Sequence, residues 1–257
     1  MGILNCTPDS FFDGDPHACH ESLVKKGVQL AKQGAHIIDV GGESSRPNSL
    51  PVSAEVEIRR TIPVIEALAK RNNALISIDT YKPQVAKAAI EAGAGFINDI
   101  TGFCDPEMRK LAKEYDLPIC VMHMQKSPET MQDNPFYPKG VVTEVYNWFA
   151  KRTELLLSEG IQKERIYLDV GIGFGKSVDD NLMLLKNIKN FHKLGFKLLI
   201  GLSRKSFMQK ILNKPTTDLL STTLALNTMS LLEGVEILRV HDVQEHHDIL
   251  MLLNLFG

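Results

Sequence analysis

Residues 75 to 100 read LISIDTYKPQVAKAAIEAGAGFINDI, and this stretch decides the fold. It opens with a short apolar run, Leu75 to Asp79, which has the composition of a buried strand. Pro83 suits the first turn of a helix, and Gly93 stands where that helix should stop. A second apolar run, Phe96 to Asn98, follows directly. Strand, helix and strand in close succession predict a βαβ unit of a parallel sheet.

The same alternation runs along the rest of the chain. The predicted strands are Gly2 to Leu4, Ile37 to Val40, Leu75 to Asp79, Phe96 to Asn98, Ile119 to His123, Ile166 to Asp169, Leu198 to Leu202 and Ile237 to Val240. Ser53 and Asp105 are predicted to begin two of the helices between them, and Pro63 should kink or divide the second helix. Because no linker interrupts the pattern, it favours an α/β fold of one domain over residues 1–257, a closed (β/α)8 TIM barrel.

Composition excludes several classes of function. The 257 residues are 44% hydrophobic with a formal net charge of -2, so no basic surface for nucleic acid is indicated. The apolar runs fall far short of the roughly 20 residues that cross a bilayer, and the N-terminus lacks the pattern of a signal peptide. Four cysteines without CxxC spacing indicate reduced thiols in a cytoplasmic protein.

Polar residues follow nearly every predicted strand. In a barrel of this kind the active site lies at the carboxyl ends of the strands, so these residues are predicted to converge. Any single Asp, Asn or Ser among them is more simply explained as a helix cap. Caps do not require Arg204, Lys205, Arg239 and His241 on the same face, and the set as a whole therefore predicts an active site.

The residues of this set fall into two groups with different binding chemistry. Asp79, Asn98 and Asp169 offer hydrogen-bond acceptors to a flat heterocycle that carries amino and ring N–H donors. Arg46, Arg239 and His241, with Asn5 nearby, would gather a phosphate or pyrophosphate together with a hard metal ion.

Two tempting motifs are rejected. Residues 171 to 177, GIGFGKS, resemble a phosphate-binding P-loop, but Val170 stands where that pattern requires glycine. His246 and His247 lack the spacing of a zinc site and are interpreted as residues of a helix surface.

Seven segments in order carry a family resemblance. They are GILNCTPDSFFDG, DVGGESSRP, SIDTYKPQVAKAAIEAGAGFINDI, VMHMQ, DVGIGFGK, GLSRKSF and LRVHDV. Together they resemble the signature segments of dihydropteroate synthases over nearly the whole chain. The resemblance implies a (β/α)8 barrel that joins 6-hydroxymethyl-7,8-dihydropterin pyrophosphate to p-aminobenzoate, releasing pyrophosphate, on the route to folate.

The resemblance also implies a role for each matching residue. The implied pterin-binding residues are Asp79, Asn98, Met122, Asp169, Gly173, Phe174 and Lys205. Arg239 and His241 would hold the pyrophosphate, and Asn5 would ligate Mg²⁺. Phe11, Asp13, Ser45, Arg46, Pro47 and Ser206 would form the p-aminobenzoate site, which sulfonamides would share. The residues expected to take part in catalysis are Asp13, Arg46, Lys205, Arg239 and His241.

Two other functions are compatible with the pterin-binding residues. A pterin-binding methyltransferase barrel would share the acidic pocket, but would not be expected to carry the SRK and RVHDV segments. A non-catalytic pterin-binding module could lose Asn5, Arg46 or Lys205, all of which are present here.

The two ends of the chain suggest larger assemblies. The sequence begins inside the first strand, so we expect either an upstream segment or a fusion, such as one with hydroxymethyldihydropterin pyrophosphokinase. The apolar run from Ile249 to Phe256 indicates that part of the last helix lies in the contact of a homodimer.

Overall fold

The structure is a computed structural model that describes residues 1–7, 16–44 and 49–256, and the side chains of 16–19 are not described. Its strands alternate with helices along the chain, as the sequence predicts. The strands are β1 (Gly2–Asn5), β2 (Ile37–Gly41), β3 (Leu75–Asp79), β4 (Phe96–Asp99), β5 (Ile119–Met122), β6 (Ile166–Asp169), β7 (Lys197–Ile200) and β8 (Ile237–Leu238).

The strands close into a parallel barrel. They pair in chain order from β1 to β8, each with the next. Beyond the end of β8, Val240 returns to the first strand, where Ile3 N donates to its carbonyl and its own N–H donates to the carbonyl of Met1, both at 2.9 Å. The prediction of a (β/α)8 barrel is confirmed.

Helices cover the outside of this barrel. They are α1 (Pro16–Lys32), α2 (Ala54–Ala69), α3 (Pro83–Glu91), α4 (Pro106–Glu114), α5 (Val141–Ser158), α6 (Val178–Lys186), α7 (Ser206–Leu212), α8 (Leu220–Leu232) and α9 (Val243–Phe256). Short 3-10 turns occupy Lys163–Arg165, Ile188–Leu194 and Thr216–Asp218.

The local start and stop signals act as predicted. Ser53 and Asp105 cap α2 and α4 by accepting hydrogen bonds from the backbone of Val56 and Glu107. Gly93 follows α3 with a φ of 112°, a left-handed conformation that suits glycine.

Three expectations need correction. Helix α2 is not divided at Pro63, because Val64, Ile65 and Leu68 are fully buried on the turn that follows and keep it in place. The last two strands are shorter or shifted relative to the prediction. His246 is buried instead of lying on a helix surface, since it bonds Asn227 and the carbonyl of Asp242.

The core has two parts. The larger one lies between the barrel wall and the surrounding helices. The smaller one fills the lower barrel interior with Phe96, Cys120 and Leu199, against which Tyr167 and Ile237 pack. This apolar layer supports the polar residues that lie above it, at the carboxyl ends of the strands.

Two further observations concern the cysteines and the helices. Cys6, Cys104 and Cys120 are free thiols. Within the described residues, no helix combines the length and apolar character that a bilayer crossing requires.

Phe149 provides a test of the core outside the barrel. Its ring is fully buried and packs edge-on against Trp148 and Phe191, with ring centroids 5.2 and 6.0 Å away. We expect Phe149→Ala to lower the free energy of unfolding by about 3–5 kcal/mol, measured by urea denaturation. Phe136→Ala, at a position 72% exposed, is the control and should change little. Equal losses in the two variants would contradict this assignment of the core.

Candidate active site

The carboxyl ends of the strands bring polar side chains from distant parts of the chain to one end of the barrel. Asp79 ends β3, Asn98 lies in β4, and Asp169 ends β6. Lys205 follows β7, and Arg239 follows β8 directly. The predicted convergence of these residues is therefore present in the fold.

Arg239 lies at the centre of this group, between two carboxylates. Its Nε donates to Asp39 at 2.6 Å, and a terminal nitrogen donates to Asp79 at 2.5 Å. Asp39 is fully buried and also accepts hydrogen bonds from Ser77 Oγ at 2.6 Å and Asn98 Nδ2 at 3.2 Å. The Asp39 carboxylate on β2 thus connects side chains from β3, from β4 and from the residue after β8 in a single polar layer.

Burial shifts the acid–base behaviour of this layer. It raises the pKa of Asp79 to about 7, because the loss of hydration outweighs the attraction of Arg239. Burial acts to lower the pKa of Arg239, but the attraction of Asp39 and Asp79 is stronger and raises it. The arginine therefore keeps its charge, while Asp79 can gain or lose a proton near neutral pH.

Asp169 and Lys205 form the opposite wall. Asp169 accepts a hydrogen bond from the backbone N–H of Gly171 at 2.8 Å, and burial raises its pKa. Lys205 Nζ lies 4.3 Å from the ring centroid of Phe174, which is within the range of a cation–π contact. Burial lowers the pKa of Lys205 to about 8, opposed by the charge of Asp169. The ammonium and the aromatic face are suited to bind opposite parts of a polar ring.

His241 is held at the rim by Ser203. Its Nδ1 lies 2.9 Å from the Ser203 hydroxyl, which also accepts the backbone N–H of His241 at 3.2 Å. Burial, reinforced by the charge of Arg239, lowers the pKa of His241 to about 4. The imidazole is therefore neutral at pH 7 in the free site and carries one N–H group, while Arg239 carries the positive charge.

Some of the remaining predicted residues lie in the described part of the chain, and the others lie outside it. Asn5 is the last residue of β1, Met122 ends β5, and Ser206 begins α7. Gly173 lies in the loop after β6, beside Phe174. Predictions for Phe11, Asp13, Ser45, Arg46 and Pro47 lie outside the described residues.

Sequence reasoning missed some residues of the site. Asp39 is not among the predicted site residues, although a carboxylate in the apolar run IIDVG is a usable signal. Ser77 carries no signal in the sequence, since its role depends on a contact across the barrel. Asp99, in contrast, serves the backbone, because it accepts from Thr101 and from Phe103 N in the following turn.

A barrel that holds buried carboxylates and the cation Arg239 in one layer at its strand ends has the fold and site of an enzyme that binds a substrate with both N–H donors and negative charge. Residues 1–241 match the model of a family described as pterin binding enzyme. The dihydropteroate synthase of Escherichia coli K12 is 44% identical over 245 residues, which cover 95% of this chain and 86% of that protein.

Solved structures of dihydropteroate synthases are also similar to this chain. The Yersinia pestis dihydropteroate synthase, in complex with a sulfonamide drug, has a TM-score of 0.92 and 37% identity, covering 99% of this chain and 92% of the other. The Xanthomonas albilineans enzyme, in complex with 7,8-dihydropteroate, has a TM-score of 0.89 and 36% identity, with the same coverage of 99% and 92%. The chain belongs to the pterin-binding enzyme family and, within it, to the dihydropteroate synthases.

Asp79 predicts a specific dependence of stability on pH. Its carboxyl titrates at about 3.9 when unfolded and at about 7 in the folded site. Between these values the folded state holds the proton more tightly, so the stability that Asp79 contributes falls as pH rises. We expect the unfolding free energy of wild type minus that of Asp79→Asn to decrease between about pH 4 and pH 7. Urea denaturation across this range measures it, and a difference that is flat or rises would exclude a raised pKa.

Proposed function

We propose that this protein condenses 6-hydroxymethyl-7,8-dihydropterin pyrophosphate with p-aminobenzoate to give 7,8-dihydropteroate and pyrophosphate. The observation that carries the proposal is the arrangement of Arg239 between Asp39 and Asp79, with Lys205 and Asp169 on the opposite wall. It supplies acceptors for a pterin and a permanent cation for a leaving pyrophosphate within one site.

Recognition of the pterin follows from hydrogen-bond complementarity. A pterin presents a guanidine-like edge of N–H donors, and a buried carboxylate can accept two of these in parallel. Asp169 and Asp79 supply carboxylates, and Asn98 supplies an amide oxygen. Lys205 donates to a ring acceptor, and Phe174 offers an apolar face for stacking. A ligand without the donors would leave buried carboxylates without partners, which makes the pocket selective.

The reaction is a dissociative substitution. The C–O bond to the pyrophosphate breaks, and its electrons leave with the anion, which Arg239 and the N–H of His241 stabilise. The pterin methylene becomes a cation that is delocalised into the ring. The amine nitrogen of p-aminobenzoate then forms the new C–N bond and releases a proton. Because an arylamine needs no strong base, positioning and electrostatic stabilisation provide the catalysis.

Mg²⁺ is proposed as the cofactor, with Asn5 as its protein ligand. The amide oxygen at the end of β1 is a hard, neutral donor, and Mg²⁺ is commonly held by one or two protein oxygens together with substrate phosphates. In the strand register Asn5 pairs with Gly41 beside Asp79, so it lies on the same layer as the Arg239 partner. When bound, the ion neutralises charge that develops on the pyrophosphate.

The p-aminobenzoate site is proposed to lie at the rim. Ser206 at the start of α7 offers a backbone N–H to its carboxylate, as helix N-termini commonly do. The loops after the first and second strands would complete this site with Phe11, Asp13, Ser45, Arg46 and Pro47. Sulfonamides, which resemble p-aminobenzoate, are expected to compete there. Cytoplasmic location, an upstream segment and fusion to a pyrophosphokinase remain predictions.

Activity is tested by pyrophosphate release from the pterin substrate with Mg²⁺, with and without p-aminobenzoate. We expect turnover to require p-aminobenzoate and to stop when EDTA removes the metal. Lys205→Ala and Asp169→Ala should each lower kcat/KM by about 10- to 150-fold, because each removes a charge-assisted contact worth roughly 1.5–3 kcal/mol. Lys197→Ala, at the exposed opposite end of β7, is the control. Pterin binding without turnover would favour a non-catalytic module.

A homodimer is also proposed, formed through the outer faces of α8 and α9. These helices pack together and expose several large apolar side chains, namely Met229, Leu232, Met251, Leu252, Leu255 and Phe256. Leu232 is 71% exposed and Leu255 is 80% exposed. Apolar patches of this kind mark protein interfaces more often than free surface.

The dimer is tested by light scattering after size exclusion. Wild type should have the mass of two chains, and Leu232→Lys combined with Leu255→Lys should have the mass of one, since buried lysines oppose association. Leu157→Lys, at an exposed position of α5, is the matched control and should stay dimeric. A monomeric wild type at micromolar concentration would contradict the proposal.

A further inference from the structure

The loop between β6 and α6 is bound by side chains through three consecutive carbonyl groups. Gln132 Nε2 donates to the carbonyl of Gly173 at 2.6 Å. Lys176 Nζ donates to the carbonyl of Phe174 at 2.9 Å. The Tyr137 hydroxyl donates to the carbonyl of Gly175 at 2.7 Å. Three successive carbonyls of one loop are thus each bound by a side chain.

Lys176 is the least expected member of this set. It is 3% exposed, and its other hydrogen bonds go to the carbonyl and Nδ1 of His123, at 3.2 and 3.1 Å. Three neutral acceptors thus use all three N–H bonds of the ammonium. Burial lowers the pKa of Lys176 to about 7, which shows the cost of placing a charge there. An amine kept at such a cost has a role beyond filling space.

The N–H groups of the same loop are bound as well. Gly171 N donates to Asp169 at 2.8 Å, and Gly173 N donates to Asn181 at 2.7 Å. Both glycines, and Gly175, have positive φ values between 65° and 82°. A side chain at Gly171 would place its Cβ 2.0 Å from the carbonyl oxygen of His123. The loop therefore has one tightly defined conformation, held from the segment after β5 and from α6.

This conformation sets the position of two groups that the pterin would contact. Phe174 lies on the loop, and its ring centroid is 4.3 Å from Lys205 Nζ. Gly173 lies beside the same lysine, since a Cβ atom added at this glycine would be 3.5 Å from Lys205 Cδ. Gln132 is exposed, so its bond to Gly173 adds little to core packing. A hydrogen bond from an exposed amide to a loop of the site is better explained by orientation of that loop.

We infer that Gln132, Tyr137 and Lys176 are positioning residues that hold the Gly173–Gly175 backbone, and with it Phe174 and Lys205, in the geometry that binds the pterin. This inference rests on the proposed function and deepens it. The three residues touch no reacting atom. They act through the loop, and their loss should weaken binding of the pterin much more than binding of p-aminobenzoate.

The test compares Tyr137→Phe, Gln132→Ala and Lys176→Met with Tyr146→Phe. Tyr146 is a half-buried tyrosine of α5 that packs on Phe191, so it controls for the loss of a hydroxyl. We would measure the Kd of 6-hydroxymethylpterin by fluorescence, the KM of each substrate and the thermal midpoint. Tyr137→Phe and Gln132→Ala should each raise the pterin Kd about five-fold, the effect of one lost hydrogen bond. Lys176→Met should raise it by more than about ten-fold.

The expected signature is a raised pterin Kd and pterin KM, an unchanged KM for p-aminobenzoate at saturating pterin, and no change in Tyr146→Phe. If Lys176→Met does not fold, the two milder variants decide the question. A pterin Kd within two-fold of wild type in both, or an equal rise in both KM values, overturns the inference. Wild type that binds pterin without turnover refutes the proposed function alone, while the Kd comparison still decides the inference. Wild type that binds no pterin overturns both.

Discussion

The ion pair between Arg239 and Asp39 is the interaction on which the polar interior depends. Arg239 follows the last strand and reaches over the first one, so it connects the last strand to the second and third across the closure of the barrel. Without this cation, Asp39 and Asp79 would be buried carboxylates close to each other, and breaking such a buried pair costs about 3–5 kcal/mol. With it, acceptors and a permanent positive charge occupy one layer. A substrate that carries both N–H donors and an anionic leaving group is matched to that combination.

The polar layer around Arg239 is supported both from below and from within. Below it, Phe96, Cys120 and Leu199 exclude water and give the barrel a rigid floor. Within it, Ser77 and Asn98 satisfy the remaining acceptor capacity of Asp39, so the carboxylate has one orientation. The surroundings then separate the roles of the ionisable groups, since the carboxylates beside Arg239 keep the arginine charged and burial keeps the histidine of the rim neutral. Electrostatic preorganisation of this kind suits a reaction in which charge separates and no strong base is needed.

The features that the sequence predicts correctly are local or topological. Strand and helix alternation, the caps at Ser53 and Asp105 and the glycine stop at Gly93 depend on neighbouring residues, and a parallel barrel then places every strand end on one rim. The features that it does not predict are pairings across the barrel. Nothing near Arg239 in the sequence indicates that its partners lie 200 and 160 residues away. Helix α2 stays undivided at Pro63 for a related reason, because burial on both sides of the proline overrides a local preference.

The carboxylates of the site lie on strands, whereas Phe174 lies on a loop, and the backbone of each is held in a different way. A pterin that loses pyrophosphate becomes a cation, and its ring must stay fixed on its hydrogen-bonding partners while the bond breaks and the amine arrives. Carboxylates on strands satisfy part of this demand, because a strand in a closed barrel cannot shift alone. In the proposed function the face of the ring is met by Phe174, which lies on a loop, and a loop lacks the backbone hydrogen bonds that hold a strand in place. Side-chain hydrogen bonds to its consecutive carbonyls provide the missing constraint, and they give a glycine-rich segment the rigidity of the strands beside it.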